Sequence, residues 1–127
     1  MAAPGRPPIM IGTTGPKMLR LTAKYADMWN SYWTRTNNSP SGVAPLRAMV
    51  DEACAEVGRD PATLQRSVSV LTAESNDNPW WEALPTSHDY EPFEPLSGGP
   101  EEIAEGLRAY RREGIDHMQI SVDNIQT

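Results

Sequence analysis

Cysteine is almost missing from this chain. A single one, Cys54, makes an internal disulfide impossible and fits a reducing, cytoplasmic setting. Histidine is nearly as scarce. His88 and His117 lie far apart, and with one cysteine they offer no metal-ligand spacing, so no metal is expected. Positive charge is short as well: the net charge is −6, and the only adjacent basic pair is Arg111-Arg112. Nucleic acid is therefore not the expected partner. No apolar run approaches membrane-spanning length, and Met1–Pro8 lacks the apolar core of a secretion signal, so no membrane association is expected. No paired carboxylates and no nucleophile–base pair stand out.

Proline, by contrast, is plentiful, with twelve residues concentrated between the periodic segments. The most informative stretch is Pro8-Ile9-Met10-Ile11-Gly12-Thr13-Thr14-Gly15-Pro16. It reads as a short strand buried on both faces, a tight turn, and a helix opening at Pro16. Free backbone N–H groups and the helix dipole at such a joint attract anions, phosphate above all. Glycine lets a phosphate approach the backbone, and Thr13 and Thr14 add hydroxyl donors. The joint carries neither the three-glycine dinucleotide pattern nor the Gly-Lys-Ser/Thr of a Walker loop.

Residues 1–7 are expected to form a disordered lead-in, and 8–127 one domain. The first helix is expected over 16–25. Its apolar residues make a wide stripe, with Met18, Leu21, Thr22 and Tyr25 on one face and Leu19, Ala23 and Ala26 on the next, so both are expected to pack. A very short strand follows at 28–30, then a polar loop at 35–42. A second helix is predicted over 44–57, ended by Gly58, and a strand over 66–73. Residues 75–99 read as a long loop rich in aromatics (Trp80, Trp81, Tyr90, Phe93). A third helix over 100–113 and a strand over 117–122 complete the pattern. Strictly alternating strands and helices imply a parallel α/β sheet with right-handed crossovers. Asp27 reads as a structural cap or ion-pair member, Trp29 and Trp33 as packing residues, His117 as a satisfied histidine and Cys54 as a small buried hydrophobe. Glu101, Glu102 and Glu105 read as a solvated helix face.

Five segments, in order, resemble the luciferase-like monooxygenases: residues 8–16, Lys24-Tyr25-Ala26-Asp27-Met28-Trp29-Asn30, Gly58-Arg59-Asp60-Pro61, Gly99-Pro100-Glu101-Glu102-Ile103-Ala104-Glu105, and Gly114-Ile115-Asp116-His117-Met118-Gln119-Ile120. That resemblance implies a (β/α)8 TIM barrel that uses FMN or the deazaflavin coenzyme for oxidation or oxygenation of a small molecule. It implies that Gly12, Thr13, Thr14 and Gly15 line the cofactor-phosphate site, with Asn30 and Ser31 close by at the mouth of the next strand. The likeness covers the family's fifth to eighth strands, so the fold implied is a half-barrel of about four parallel strands and three helices. The family's first four strands, which carry its proposed proton-transfer residues, have no counterpart in the matched segments.

Four strands cannot close an eight-stranded barrel, and the open interior with its two free edges must be covered. The expected solution is a homodimer through the open barrel face. A separate chain, or the aromatic loop folded over the opening, are the other routes. The expected function is a flavin- or deazaflavin-dependent oxidoreductase or monooxygenase, or a fragment of one. The alternative is a non-catalytic half-barrel module that self-associates.

Overall fold

The computed structural model describes residues 5–73 and 93–122. Strand β1 (Met10–Gly12) leads through α1 (Pro16–Tyr25) to β2 (Met28–Ser31). The short helix α2 (Trp33–Thr36) and a 3-10 turn at Pro40–Gly42 run into α3 (Val43–Glu56). A second 3-10 turn, Pro61–Thr63, precedes β3 (Gln65–Ala73). Then come β4 (Leu96–Ser97), α4 (Pro100–Arg112) and β5 (His117–Val122). Of the long aromatic loop, residues 75–92 lie outside the described residues.

Every strand pairing is parallel. Strand β3 is central: β2 pairs with its residues 65–68, β4 with 72–73, and β5 with 67–72. Since β5 takes one edge of β3, β2 and β4 must share the other, end to end. Asn38 occupies the interval between them. Its amide Nδ2 donates to Leu71 O (3.0 Å) and Glu94 O (2.8 Å), while Oδ1 accepts from Leu71 N (2.9 Å). Asn37 and Asn38 both take left-handed backbone (φ 58° and 46°), which asparagine tolerates better than most residues. The expected polar loop over 35–42 is thus a folded joint. Gly42 completes it, because a Cβ there would come within 1.9 Å of Thr36 O.

One core lies between α1, α3 and the first strands, with Leu19, Ala23, Trp29, Val50, Ala53 and Cys54 buried together. A second lies between β3 and α4, with Val68, Val70, Tyr110 and Ile115. Residues 66, 68 and 70 of β3 therefore face the helices, and 65, 67 and 69 face the other way. On that other face Gly12, Asn30, Ser67 and His117 stand in one register row. Ser67 Oγ meets His117 Nδ1 at 3.0 Å, and Ser69 Oγ donates to Gln119 Oε1 at 3.0 Å. Gln119 Nε2 then reaches Met10 Sδ on the far edge strand at 3.6 Å. Edge strands separated by two others stand roughly 14 Å apart in a flat sheet, so this contact requires a concave face that brings them together. The curvature is that of a barrel wall.

Two expectations are corrected. Strand β1 is not buried on both faces: Ile9 and Met10 are exposed, because among the described residues β1 pairs with β2 alone and nothing covers its concave side. On α1 only the Leu19, Thr22, Ala23 face is buried, whereas Met18, Leu21 and Tyr25 are exposed. Arg20 explains the asymmetry. Its guanidinium reaches Glu56 of α3 (2.7 Å) from one flank, leaving the Met18–Leu21–Tyr25 stripe on the flank turned away from α3, with no helix beside it among the described residues.

Polar side chains lock the amino-terminal end of the strands. Asp27 accepts two hydrogen bonds from Arg6 (2.8 and 3.0 Å) and one from Ile9 N (2.7 Å). The Arg6 guanidinium, with the Ile9 N–H second, holds the Asp27 carboxyl below the usual carboxylate range. Arg59 donates to Ala23 O (3.1 Å) and Ala26 O (2.6 Å), satisfying carbonyls at the end of α1, and to both oxygens of Thr63. Arg66 binds Asp51 through its side chain, and its backbone N–H donates to Asp116 (3.0 Å).

Candidate functional site

The opposite, carboxyl end of β1 and β2 opens into a cleft of about 350 Å³ lined by Gly12, Thr13, Thr14, Gly15, Asn30, Ser31, Tyr32, Thr34 and Arg35. All six residues singled out in the sequence meet there. Parallel alternation places them: β1 and β2 are neighbours, and each ends at the same rim before its chain turns away.

The turn is held from beneath. Trp29, buried in the first core, donates its indole N–H to Thr13 O at 2.7 Å. Behind the turn α1 begins with Gly15 as N-cap and Pro16 at the first position, with no side-chain cap and no acid in its first turn. The first-turn N–H groups of Lys17 and Met18 have no intrahelical acceptor, and the positive end of the dipole is not neutralised. Gly15 has extended backbone (φ −73°, ψ 143°) that any residue adopts, and a Cβ there would meet nothing within 4 Å. Serine or aspartate would cap the helix at least as well. Glycine at this position leaves space open in front of the helix.

Two further groups at the cleft lack partners. Asn30 is 5% exposed and Ser31 4%, yet Asn30 Oδ1 and Ser31 Oγ are buried with no hydrogen bond. An orphaned buried polar atom costs about 1–3 kcal/mol. An amide rotation exchanges Oδ1 for Nδ2, so Asn30 can present N–H donors to the cleft, and Ser31 can present its hydroxyl. Arg35 on α2 adds a guanidinium to the rim, where Tyr32 exposes its ring edge-on to Trp33 (6.0 Å between centroids).

Tyr32, Thr34 and Arg35 were not anticipated from sequence. The signal for them was modest: Arg35 is a cation four residues beyond the end of β2, and the α2 turn folds it back over the strand ends. Chemically the site is a set of backbone N–H groups, hydroxyls, an amide and one cation, which suits an oxyanion with several acceptor oxygens. His117 shares the register row of Gly12 and Asn30 but is paired with Ser67 and does not line the cleft. Among the described residues no cluster of histidine, cysteine or acidic side chains has the form of a metal site.

The sequence signature of the luciferase-like monooxygenases matches residues 1–91. No curated protein matches the chain. Among solved structures, an F420-dependent secondary alcohol dehydrogenase in complex with an F420–acetone adduct is 16% identical with a TM-score of 0.67, over 94% of this chain and 44% of that one. The coenzyme F420-dependent tetrahydromethanopterin reductase from Methanopyrus kandleri is 13% identical with a TM-score of 0.63, over 93% and 45%. EDTA monooxygenase from Chelativorans sp. BNC1 is 11% identical with a TM-score of 0.65, over 95% and 41%. The chain thus spans less than half the length of each. These likenesses give the fold: the curved sheet is part of a (β/α)8 barrel.

Proposed function

The chain belongs to the luciferase-like monooxygenase family, and from that premise we propose that it holds the phosphate of a flavin or deazaflavin coenzyme in the cleft between β1 and β2. The observation that carries this reading is the pair of orphaned polar atoms, Asn30 Oδ1 and Ser31 Oγ, beside an α1 N-terminus that Gly15 leaves open. The residues fit the group. The backbone of Gly12–Gly15 and the free N–H groups of Lys17 and Met18 would surround phosphate oxygens. Asn30, Ser31 and the threonine hydroxyls would add donors, and Arg35 would supply opposing charge. Tyr32 at the rim offers an aromatic face to a ring system.

When bound, such a coenzyme supplies hydride or electron transfer at its isoalloxazine-type ring. The work of this chain's residues is to bind the phosphate end and so fix where the ring lies. Two of the structural relatives are F420-dependent by name, which keeps the deazaflavin beside FMN as a ligand to test. A second reading, a self-associating module without chemistry, draws on the exposed apolar residues at β1 and α1.

Fluorescence titration separates the two. Saturable quenching of FMN or F420 emission, reduced at least tenfold in affinity by Gly15→Asp, supports coenzyme binding. No saturation at millimolar concentration of either ligand removes it.

A further inference from the structure

We propose that the group this cleft accepts is a phosphomonoester dianion, as at the end of FMN, and that it refuses a phosphodiester, as in F420; this rests on the coenzyme-phosphate reading above.

Three segments wall the cleft. On one side stand the Gly12–Gly15 turn and the first turn of α1, where the N–H groups of Lys17 and Met18 have no intrahelical acceptor. The floor is the end of β2, where Asn30 (5% exposed) and Ser31 (4%) each bury a side-chain oxygen that has no partner. The third side is α2, with Thr34 and Arg35. Both flanking walls are fixed. Trp29 holds the turn through Thr13 O (2.7 Å), and Asn38, just past α2, is bonded to Leu71 N (2.9 Å). All three walls come from residues 12–35 and stand without the remainder of a barrel.

A phosphate is tetrahedral. With donors on three sides, three of its vertices must be acceptor oxygens, and only the fourth, at the mouth, can carry carbon. That is a monoester. A diester has two oxygens free of carbon, so one wall would face an ester link. The donors of that wall would then lose their acceptor, and the second chain would have no exit.

Charge points the same way. The described residues that line the cleft include the Arg35 guanidinium and no carboxylate, cysteine or histidine. The first turn of α1 adds Lys17 and no acid. In a chain of net charge −6, this acid-free cleft at a helix N-terminus suits a monoester, which carries about −1.5 to −2 at pH 7, better than the single charge of a diester.

Quenching titrations of the full chain with FMN, riboflavin, FAD and F420 test the assignment. FMN should bind at least about 100-fold tighter than the other three. Ser31→Ala deletes a hydroxyl that has no partner, so the fold should persist by circular dichroism while FMN affinity falls about tenfold and its lead over riboflavin narrows. In ³¹P NMR, bound FMN should keep the shift of the dianion at about pH 6, where free FMN is half protonated. F420 or FAD binding within about tenfold of FMN overturns the monoester assignment and leaves the coenzyme-phosphate reading standing. Bound FMN that protonates together with the free coenzyme does the same. Riboflavin binding as tightly as FMN, or no saturation by any of the four at millimolar concentration, removes both.

Discussion

The two ends of the same short strands are built to opposite rules. At the amino-terminal end polar groups are matched to partners. Asp27 is tied to Arg6 and to Ile9 N, Arg59 serves α1 and Thr63, and Arg66 N is met by Asp116. At the carboxyl end Asn30 Oδ1 and Ser31 Oγ are buried without partners, and the helix behind them begins with a glycine cap that stabilises it less than serine or aspartate would. One end gains stability from its polar residues; the other carries a cost that a ligand would relieve. That division is what a barrel architecture leads one to expect, with binding at the carboxyl ends and structural polar groups at the other.

The largest test of this contrast is Trp29, which belongs to both ends. Its ring fills the core under α1 while its N–H holds Thr13. Trp29→Ala should cost about 3–5 kcal/mol in urea unfolding and remove the cleft with the fold. Trp29→Phe keeps most of the packing and loses the hydrogen bond. It should cost less and weaken ligand binding in protein that remains folded. Next is Arg59→Ala, at the matched end. Leaving the Ala23 and Ala26 carbonyls unpaired should cost about 2–3 kcal/mol, while coenzyme affinity of the folded protein stays unchanged. A change in affinity there would break the contrast.

Smaller in stability, and opposite in sign, is Gly15→Asp. Aspartate is a better N-cap than glycine, so the unfolding free energy should rise by a few tenths of a kcal/mol. The same carboxylate fills the open space and repels phosphate, so affinity should fall at least about tenfold, or 1.4 kcal/mol. A variant both more stable and unable to bind is the outcome that sharpens the comparison most. A destabilised one would show that Gly15 is there for the fold.

Most of the framework was legible because it rests on local rules. Pro16 at the start of α1, Gly58 after α3 and the alternation of apolar segments place the strands and long helices within a residue or two of where they lie. Asn30 and Ser31 were set beside the Gly12–Gly15 turn by the family resemblance, and the pairing of β1 with β2 is the physical reason that they meet. What stayed hidden depends on distant partners. The α2 turn has no apolar period, and its position rests on Asn38 bonding Leu71, 33 residues on, and on the close pass of Gly42 over Thr36. Strand β4 has two residues and takes its place only from β3. The α1 stripe misled for another reason. Periodicity identifies an apolar face but not whether a neighbour stands beside it, and here only one flank has α3. Gly58-Arg59-Asp60-Pro61 matched the family as a motif, and its physical content is the Arg59 clamp, which makes it architecture and not chemistry.

The smallest effect belongs to Asp27. Its partner Arg6 is well exposed, so water screens the pair and its share of stability is modest. The sign is nonetheless definite. The Arg6 hydrogen bonds, and then the Ile9 N–H, lower the folded-state carboxyl below its unfolded value near 4. A carboxylate shifted this way contributes stability that is fully present above that value and is lost as pH falls through it toward the lower folded-state value. Urea midpoints should therefore be flat in Asp27 between pH 7 and 5 and decline below about 4. Asp27→Asn should start lower at pH 7 and decline less steeply, because the amide has no proton to take up and still accepts from Ile9 N. Parallel curves for the two proteins would mean that the pair contributes nothing measurable. The matched end would then owe its stability to Arg59 and Arg66 alone.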